Sequence, residues 1–310
     1  MGKQLIRRLL MVIPIMLGVY TVVFILIRIV PGDPIMALVE DGVVTADQLE
    51  SLRHEYGTDR PVLVQYFDSI GRLLRLDLGT SFHTGQPVGE MIMEVLPYSA
   101  QLTLTAMAIA AVFGLLSGVV SAIRHNTWID TISMFGATVG IAAPDFWLGL
   151  MLIFLFVLAL GWIPLTEVGF GPKFLILPAF TLAVRPMASI ARLSRATTLE
   201  TLSEGYVLTA RSKGLKERTV IRRHALRNAL IPVITIMGID LAATLSNAMV
   251  IETVFARPGL GRLVLASIYH KDFPAVQSTI MIISLAYVLC NILVDLAYAF
   301  LDPRIRTSSS

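Results

Sequence analysis

The sequence predicts an all-α, polytopic membrane protein with six spans, and three observations carry that prediction. Of the 310 residues, 55% are hydrophobic and only 15% charged, with a mean hydropathy of +0.74. A soluble domain runs nearer a quarter charged and still needs a polar surface. The apolar residues are also gathered into six runs, at 9–30, 98–123, 132–160, 174–192, 229–253 and 278–300. Each is near or above the roughly 20 residues that a helix needs to cross the hydrocarbon core. Finally, the basic residues divide unequally between alternate loops. With both termini in the cytoplasm, 15 of the 25 Lys and Arg lie inside and 8 outside. Four of those eight belong to one long segment, which counts little towards orientation. Both termini are therefore expected to be cytoplasmic, with the lipid bilayer as solvent.

This composition argues against a soluble enzyme. A nucleic-acid binder is excluded too, because the net charge is only +3 despite a pI of about 9.1. A single cysteine, Cys290, rules out an internal disulfide framework or a cysteine-based zinc site. It sits in an apolar run, as a buried, inert thiol would.

The first run follows Lys3, Arg7 and Arg8 as a signal peptide would, but it is too long for one. It ends in Arg28-Ile-Val-Pro-Gly-Asp-Pro34 with no small-residue cleavage site, so it is expected to be a retained span. Segment 31–97 then carries 11 acids against 4 basic residues. It includes a helix-like stretch, Thr45–Tyr56, with Thr45 as N-cap, and a turn-rich stretch, Gly79–Gly89. A small extracytoplasmic domain between the first and second helices is expected there. The third run contains Pro144, Asp145 and Trp147, so it should be tilted, kinked or entered obliquely.

Segment 193–228 has 8 basic residues against 3 acids and is too long for a simple hairpin connection. Leu199, Leu202, Tyr206 and Ala210 recur at helical spacing, which predicts one helix over 200–214 stopped by Gly214. A second basic helix should follow from Glu217 to about Asn228, with the fifth span starting near Pro232. Such a knob could rest on anionic headgroups or dock a partner.

Charges inside spans cost roughly 2.5–3.5 kcal/mol each on insertion scales, so each needs a partner or a cavity. Arg185 and Asp240 lie near the middles of the fourth and fifth runs. They either pair with each other or line a pathway, where Asp240 suits an ammonium and Arg185 a carboxylate. Asn247 lies seven residues beyond Asp240, on the same helical face. Asp145 is placed to cap a helix start, while Glu252 and Asp295, nearer span ends, are expected to snorkel or form salt bridges.

The loop Glu204-Gly-Tyr-Val-Leu-Thr-Ala-Arg-Ser-Lys-Gly214-Leu, continuing to His224-Ala-Leu-Arg-Asn-Ala-Leu-Ile-Pro232, resembles the cytoplasmic loop of ABC-importer permeases. The match is to the dipeptide/oligopeptide/nickel family, the first permease of its pair. The general importer loop reads Glu-Ala-Ala, three residues, Gly, nine residues, Ile-x-Leu-Pro. Here Leu208-Thr209-Ala210 and His224-Ala-Leu-Arg227 stand at the two ends, so the leading Glu and final Pro are absent, as in the peptide-type branch. Further blocks resemble the family in order along the chain: Arg7-Arg8 with Pro31-Gly-Asp-Pro34; Tyr56-Gly57, Pro61, Gln65-Tyr66, Asp77-Leu-Gly79 and Ser81; Pro144-Asp-Phe-Trp147 with Gly161-Trp-Ile-Pro164; Ile251-Glu-Thr-Val-Phe255, Pro258-Gly-Leu-Gly261 and Asp272-Phe-Pro274; Asn291, Val294-Asp295 and Leu301-Asp-Pro-Arg304.

The resemblance implies a fold of the type I ABC importer kind in the bacterial inner membrane. Its expected divisions are the N-terminus and first span at 1–30, the outer domain at 31–97, a five-span core at 98–301 with the coupling loop at 193–228, and a tail at 302–310. The implied partners are a second permease, two ATPase subunits and an extracytoplasmic solute-binding protein. Coupling to the ATPase is assigned to Glu204, Tyr206, Thr209, Ala210, Lys213, Gly214, Leu215 and His224. The outer gate or binding-protein contact falls to Glu252, Phe255, Pro258, Gly259 and Gly261. Cofactors, ATP and Mg, belong to the partner ATPases, because no Gly-x-x-x-x-Gly-Lys-Ser/Thr loop occurs here. No catalytic or metal residues are expected, since the five histidines form no His-Glu-x-x-His and no Gly-x-Ser-x-Gly occurs. Peptide is the expected cargo, with a nickel chelate, glutathione or another small solute as alternatives. A secondary transporter is the rival class, but the sequence lacks the repeated halves such folds often show.

Overall fold

The computed structural model describes residues 2–29, 50–51, 53–54, 57–163 and 172–301. The expected helix at Thr45–Tyr56 falls largely outside these residues, as do the Pro31–Pro34 block and the 302–310 tail. The side chain of Asp295 is also outside them. The described secondary structure is nearly all helical: α1 Gly2–Ile29, α2 Val62–Leu74, α3 Val88–Ile123, α4 Trp128–Ala142, α5 Asp145–Ile153 with a π turn Phe154–Ala159, and α6 Pro172–Leu202. There follow α7 Gly205–Ser212, α8 Glu217–Thr219, a π turn Val220–Ala225, α9 Leu226–Val254, α10 Leu260–Tyr269 and α11 Phe273–Leu301. Five helical stretches among the described residues are long and apolar enough to cross a membrane, or six if α4 and α5 count as one span.

That broken span is the kink expected at Pro144. The axes of α4 and of α5 with its π turn differ by 105°. Ala143 is extended (φ −73°, ψ 130°), because the proline ring after it disfavours the helical region. Asp145 occupies the first turn of α5, but the capping position is Pro144 and no side chain caps it. The expected cap is therefore not formed.

The chain divides into two compact units, Met1–Ser99 with Pro258–Ala286 and Ala100–Arg257 with Tyr287–Ser310. In the first, Tyr20 and Phe24 of α1 pack on Met281 of α11 and on Tyr66, Ile70 and Leu73 of α2. The Gly79–Gly89 stretch is a turn, as expected, with an isolated bridge between Thr80 and Pro87. Buried Asp272 ties this turn down. It accepts hydrogen bonds from the Ser81 hydroxyl and the Phe82 N–H, and from the Ala275 N–H at 3.3 Å. Two motif blocks distant in sequence thus meet, since a Cβ on Gly79 would also touch Pro274 at 3.5 Å.

The second unit is built on α3, α6 and α9. Leu102, Ala106 and Ala110 of α3, Leu182, Ala183 and Ile190 of α6, and Val233, Ala248 and Ile251 of α9 form its core. α3 and α6 approach closely along Gly114 and Gly118. A Cβ at Gly114 would lie 2.8 Å from the Met187 carbonyl oxygen, and one at Gly118 would overlap Ser194 Oγ and the Ala191 carbonyl. Small residues four apart allow such backbone contact, which in lipid replaces the missing hydrophobic drive.

Candidate functional site

A cavity of about 310 Å³ opens between α4, α5, α6 and α9, and all three span residues singled out from the sequence line it. α6 contributes Leu182, Arg185, Pro186 and Ser189; α9 contributes Asp240, Ala243, Thr244 and Asn247; Ile141 and Asp145 close it. Both long helices present these residues at spacings of three, four and seven, the period of one helix face. That spacing is the signal by which Ser189 and Thr244 could have been found in the sequence. Pro186 lacks the N–H that would reach the Leu182 carbonyl one turn back, and both residues line the cavity. An adjoining cavity of about 350 Å³ shares Asp145, Arg185 and Asn247.

Arg185 and Asp240 line the same cavity. They form no ion pair with each other among the described residues, so the pairing alternative is not what is built. Asp240 Oδ2 is buried and finds no hydrogen-bond donor among the described residues, although Ser189 lies beside the carboxylate. Arg185 is exposed. A carboxylate with an open acceptor and an unpaired guanidinium on one wall can hold a cationic and an anionic group of the same solute.

The connection between α6 and α9 departs from its expected form in three ways. The single helix over 200–214 is two pieces, because the chain breaks at Ser203-Glu204, where Glu204 is extended (φ −68°, ψ 145°) ahead of α7. The buried face is not the one carrying Tyr206. Val207 and Ala210 pack on Val220 and Leu202, while Tyr206 and Leu208 stay 41% and 52% exposed. The helix from Glu217 does not end before Pro232 either. It continues through the π turn into α9, making one 38-residue stretch from Glu217 to Val254. Gly214 turns the chain with φ +76°, the left-handed stop that the sequence predicts.

The remaining residues to which the resemblance assigns coupling occupy the outside of this hairpin. Glu204, Thr209, Lys213 and Leu215 are exposed, and His224 is half-buried in the π turn. Two contacts brace the hairpin: Asn228 Nδ2 donates to Tyr206 Oη at 2.9 Å, and Arg211 pairs with Glu217 at 2.7 Å. Exposed Leu208 was missed, because its position was read only as a departure from the family motif.

A second missed feature is the ion pair of Asp130 and Arg195. Arg195 donates from Nε and Nη2 to the two oxygens of Asp130 at 2.6 and 2.8 Å. The Ser121 hydroxyl and the Asn126 N–H add to the same carboxylate, which is nearly fully buried. This joins the end of α3, the turn after it, α4 and α6. Nothing in local sequence links residues 65 apart, so charge counting had placed Arg195 merely among the inside cations.

The outer-contact candidates are less accessible than expected. Glu252 is 1% exposed, so it neither snorkels nor presents a surface for docking. Phe255 packs on the core of its unit, Gly259 and Gly261 are buried, and Pro258 is half-buried.

Residues 110–307 match the model of the family described as binding-protein-dependent transport system inner membrane component, and residues 1–103 match its N-terminal companion. A putative peptide transport system permease protein of Brucella abortus (strain 2308) is 39% identical over 315 residues, covering 99% of both chains. The dipeptide transport system permease protein of Alkalihalophilus pseudofirmus is 37% identical over 327 residues, covering 97% of this chain and 98% of that one. A glutathione transport system permease protein of Escherichia coli is 38% identical over 306 residues and 99% of both chains. Among solved structures, the MetNI methionine ABC transporter in an inward-facing conformation superposes with a TM-score of 0.60 at 17% identity, over 70% of this chain and 98% of that one. At that identity the likeness speaks for the fold alone.

Proposed function

The chain belongs to the family of binding-protein-dependent transport system inner membrane components, and we propose that it forms half of the translocation pathway of an ATP-driven importer of di- and oligopeptides. The observation that carries this reading is the α7 hairpin. Outside the spans, it buries Val207, Ala210 and Val220 beside Leu202 and leaves Tyr206, Leu208 and Leu215 in the open. An apolar surface of this kind calls for a protein partner. That partner is an ATPase subunit, which holds the ATP and Mg, so ATP hydrolysis takes place outside this chain.

The hairpin is well built to transmit force. α7 is clamped between α6, which ends at Leu202, and the continuous helix from Glu217, and both line the cavity further along. Displacement of α7 by closure of an ATPase pair therefore acts on the two helices bearing Arg185, Ser189, Asp240 and Asn247. A rigid-body switch of this kind alternates the side on which the cavity opens. Within the cavity, Asp240 and Asp145 suit a peptide's ammonium, while Arg185 suits its carboxylate. Peptide-system relatives favour this cargo over a chelated metal, and gradient-driven transport is not favoured.

A similar second permease completes the pathway, and a solute-binding protein delivers the cargo from outside. Both termini lie in the cytoplasm. Segment 31–97 is then the extracytoplasmic domain, 98–301 the core, 193–228 the coupling loop and 302–310 the tail. The test is affinity purification of the tagged chain from native membranes, followed by reconstitution. Recovery with a second permease and ATPase subunits, with uptake of peptide that needs ATP, is expected. Recovery alone or as a homo-oligomer, with flux that follows an ion gradient, would overturn the proposal.

A further inference from the structure

A cavity of about 540 Å³ lies in the unit built from α1, α2 and the start of α11, and its lining has an unusual charge. Segment 31–97 is strongly acidic, with only 4 basic residues in all. Three of them, Arg60, Arg72 and Arg75, line this one cleft, and Arg28 joins them from α1. Among the described residues, the carboxylates that line the cleft are Asp68 and Asp77. Arg60 pairs with Asp68 at 3.1 Å, and Asp77 accepts the Gly79 N–H at 2.9 Å.

The other three arginines make no ion pair among the described residues. Arg28 donates to the Phe24 carbonyl at 3.2 Å and to Gln65 Oε1 at 2.7 Å, both neutral, and its guanidinium lies 3.4 Å above the Phe24 ring. Arg72 reaches only Ser69 Oγ, at 3.5 Å. Three guanidinium groups with no ion-pair partner among the described residues suit a doubly coordinated anion such as a phosphate, which the planar fork of arginine binds bidentately.

Position in the bilayer identifies the source of that phosphate. The apolar stretch of α1 runs from Leu10 to Ile29, so Arg28 stands where the span ends and headgroups begin. Ile25 and Ile29 on α1 are 50% and 68% exposed, apolar surface against which acyl chains can lie. α2 adds to it: Tyr66, Ile70 and Leu73 pack inward, while Leu63, Phe67 and Leu74 on the adjoining edge are 72%, 67% and 81% exposed. A helix with an apolar edge, with Arg72 on its polar side and Arg60 and Arg75 at its two ends, suits the membrane interface. We propose that this cleft binds the phosphate of an anionic phospholipid, with the acyl chains along α1 and α2. The proposal is independent of the peptide-importer reading.

The test is native mass spectrometry of the purified complex in detergent, titrated with phosphatidylglycerol. Parallel titrations use phosphatidylethanolamine, inorganic phosphate and glycerol 3-phosphate. Saturable phosphatidylglycerol binding is expected, weakened about five-fold by Arg72→Gln and again by Arg75→Gln, as for a basic residue at an anionic surface. Both side chains are exposed, so these variants fold even if Arg28→Gln does not. Arg53→Gln, which removes equal charge from the same segment outside the cleft, should leave binding unchanged. Equal retention by the Arg72→Gln/Arg75→Gln double variant would overturn the proposal. So would equal binding of phosphatidylethanolamine, or displacement of the lipid by inorganic phosphate at matched concentration.

Discussion

Substitutions at Gly214 separate backbone geometry from bulk as the basis of coupling. Gly214 holds φ +76°, and a Cβ built there meets no atom within 4 Å. Any cost of a side chain is therefore the cost of the left-handed conformation itself, about 1–2 kcal/mol for an ordinary L-residue. Asparagine tolerates that region better than alanine, and a β-branched residue tolerates it worst. The hairpin it ends buries only Val207, Ala210 and Val220 beside Leu202, too small a core to absorb the strain. A penalty of this size shifts the hairpin's equilibrium about 5- to 30-fold away from its docked shape. ATP-driven peptide uptake in proteoliposomes should fall in the order Gly, Asn, Ala, Val, while the amount of chain in the membrane stays level. The reasoning is refuted if Asn impairs uptake as much as Val, or if Val couples normally.

Six other substitutions probe the rest of the structure. Asp240→Asn removes the open carboxylate and should raise the KM for a dipeptide about ten-fold, the worth of one charge-assisted bond, with partner recovery unchanged; an unaltered KM would remove Asp240 from the pathway. Arg195→Met strips Asp130 of two donors and should cost about 2–3 kcal/mol in detergent unfolding. That is the low end for a buried pair, because the Arg195 side chain is 25% exposed and Ser121 and the Asn126 N–H remain. A double-mutant cycle with Asp130→Asn should give clear coupling, and additive effects would count against the pair. Gly118→Leu drives a Cβ into Ser194 and the Ala191 carbonyl, for a loss of about 1–3 kcal/mol or more; Gly136→Ala, with open space around it, should be neutral or stabilising in the same assay. Asp272→Ala takes the acceptor from the buried Ser81 hydroxyl, about 1–3 kcal/mol, and from the half-buried Phe82 N–H, and should open the 79–87 turn to proteolysis; unchanged cleavage would show that the turn stands without it.

Where the sequence succeeded, it did so through local chemistry. The kink at Pro144 and the stop at Gly214 follow from how proline and glycine restrict or free the backbone, and a single chain segment contains all that is needed to see them. The shared face of Asp240 and Asn247 follows from helical period. The 193–228 connection was harder to read. Periodicity placed Tyr206 with Leu202 and Ala210, but the break at Ser203-Glu204 reset the helix phase, and Val207 took the buried position instead. The fifth span was likewise divided at Pro232, although a proline is tolerated inside a membrane helix when neighbouring groups satisfy the freed carbonyl.

Taken alone, the sequence determined that this chain lives in the membrane, where its spans run, and which family its motifs resemble, because hydropathy, charge placement and motif order are properties of the linear chain. Only the tertiary structure decided which charges meet. It separated Arg185 from Asp240 and set both on one cavity, joined Arg195 to Asp130 across 65 residues, buried Glu252, and gathered Arg28, Arg60, Arg72 and Arg75 from an acidic surrounding. The reason is physical. A buried charge takes its partner from whatever element packs beside it, and in lipid that choice rests on close contacts such as Gly114 and Gly118 against α6, whose geometry no local window of sequence contains.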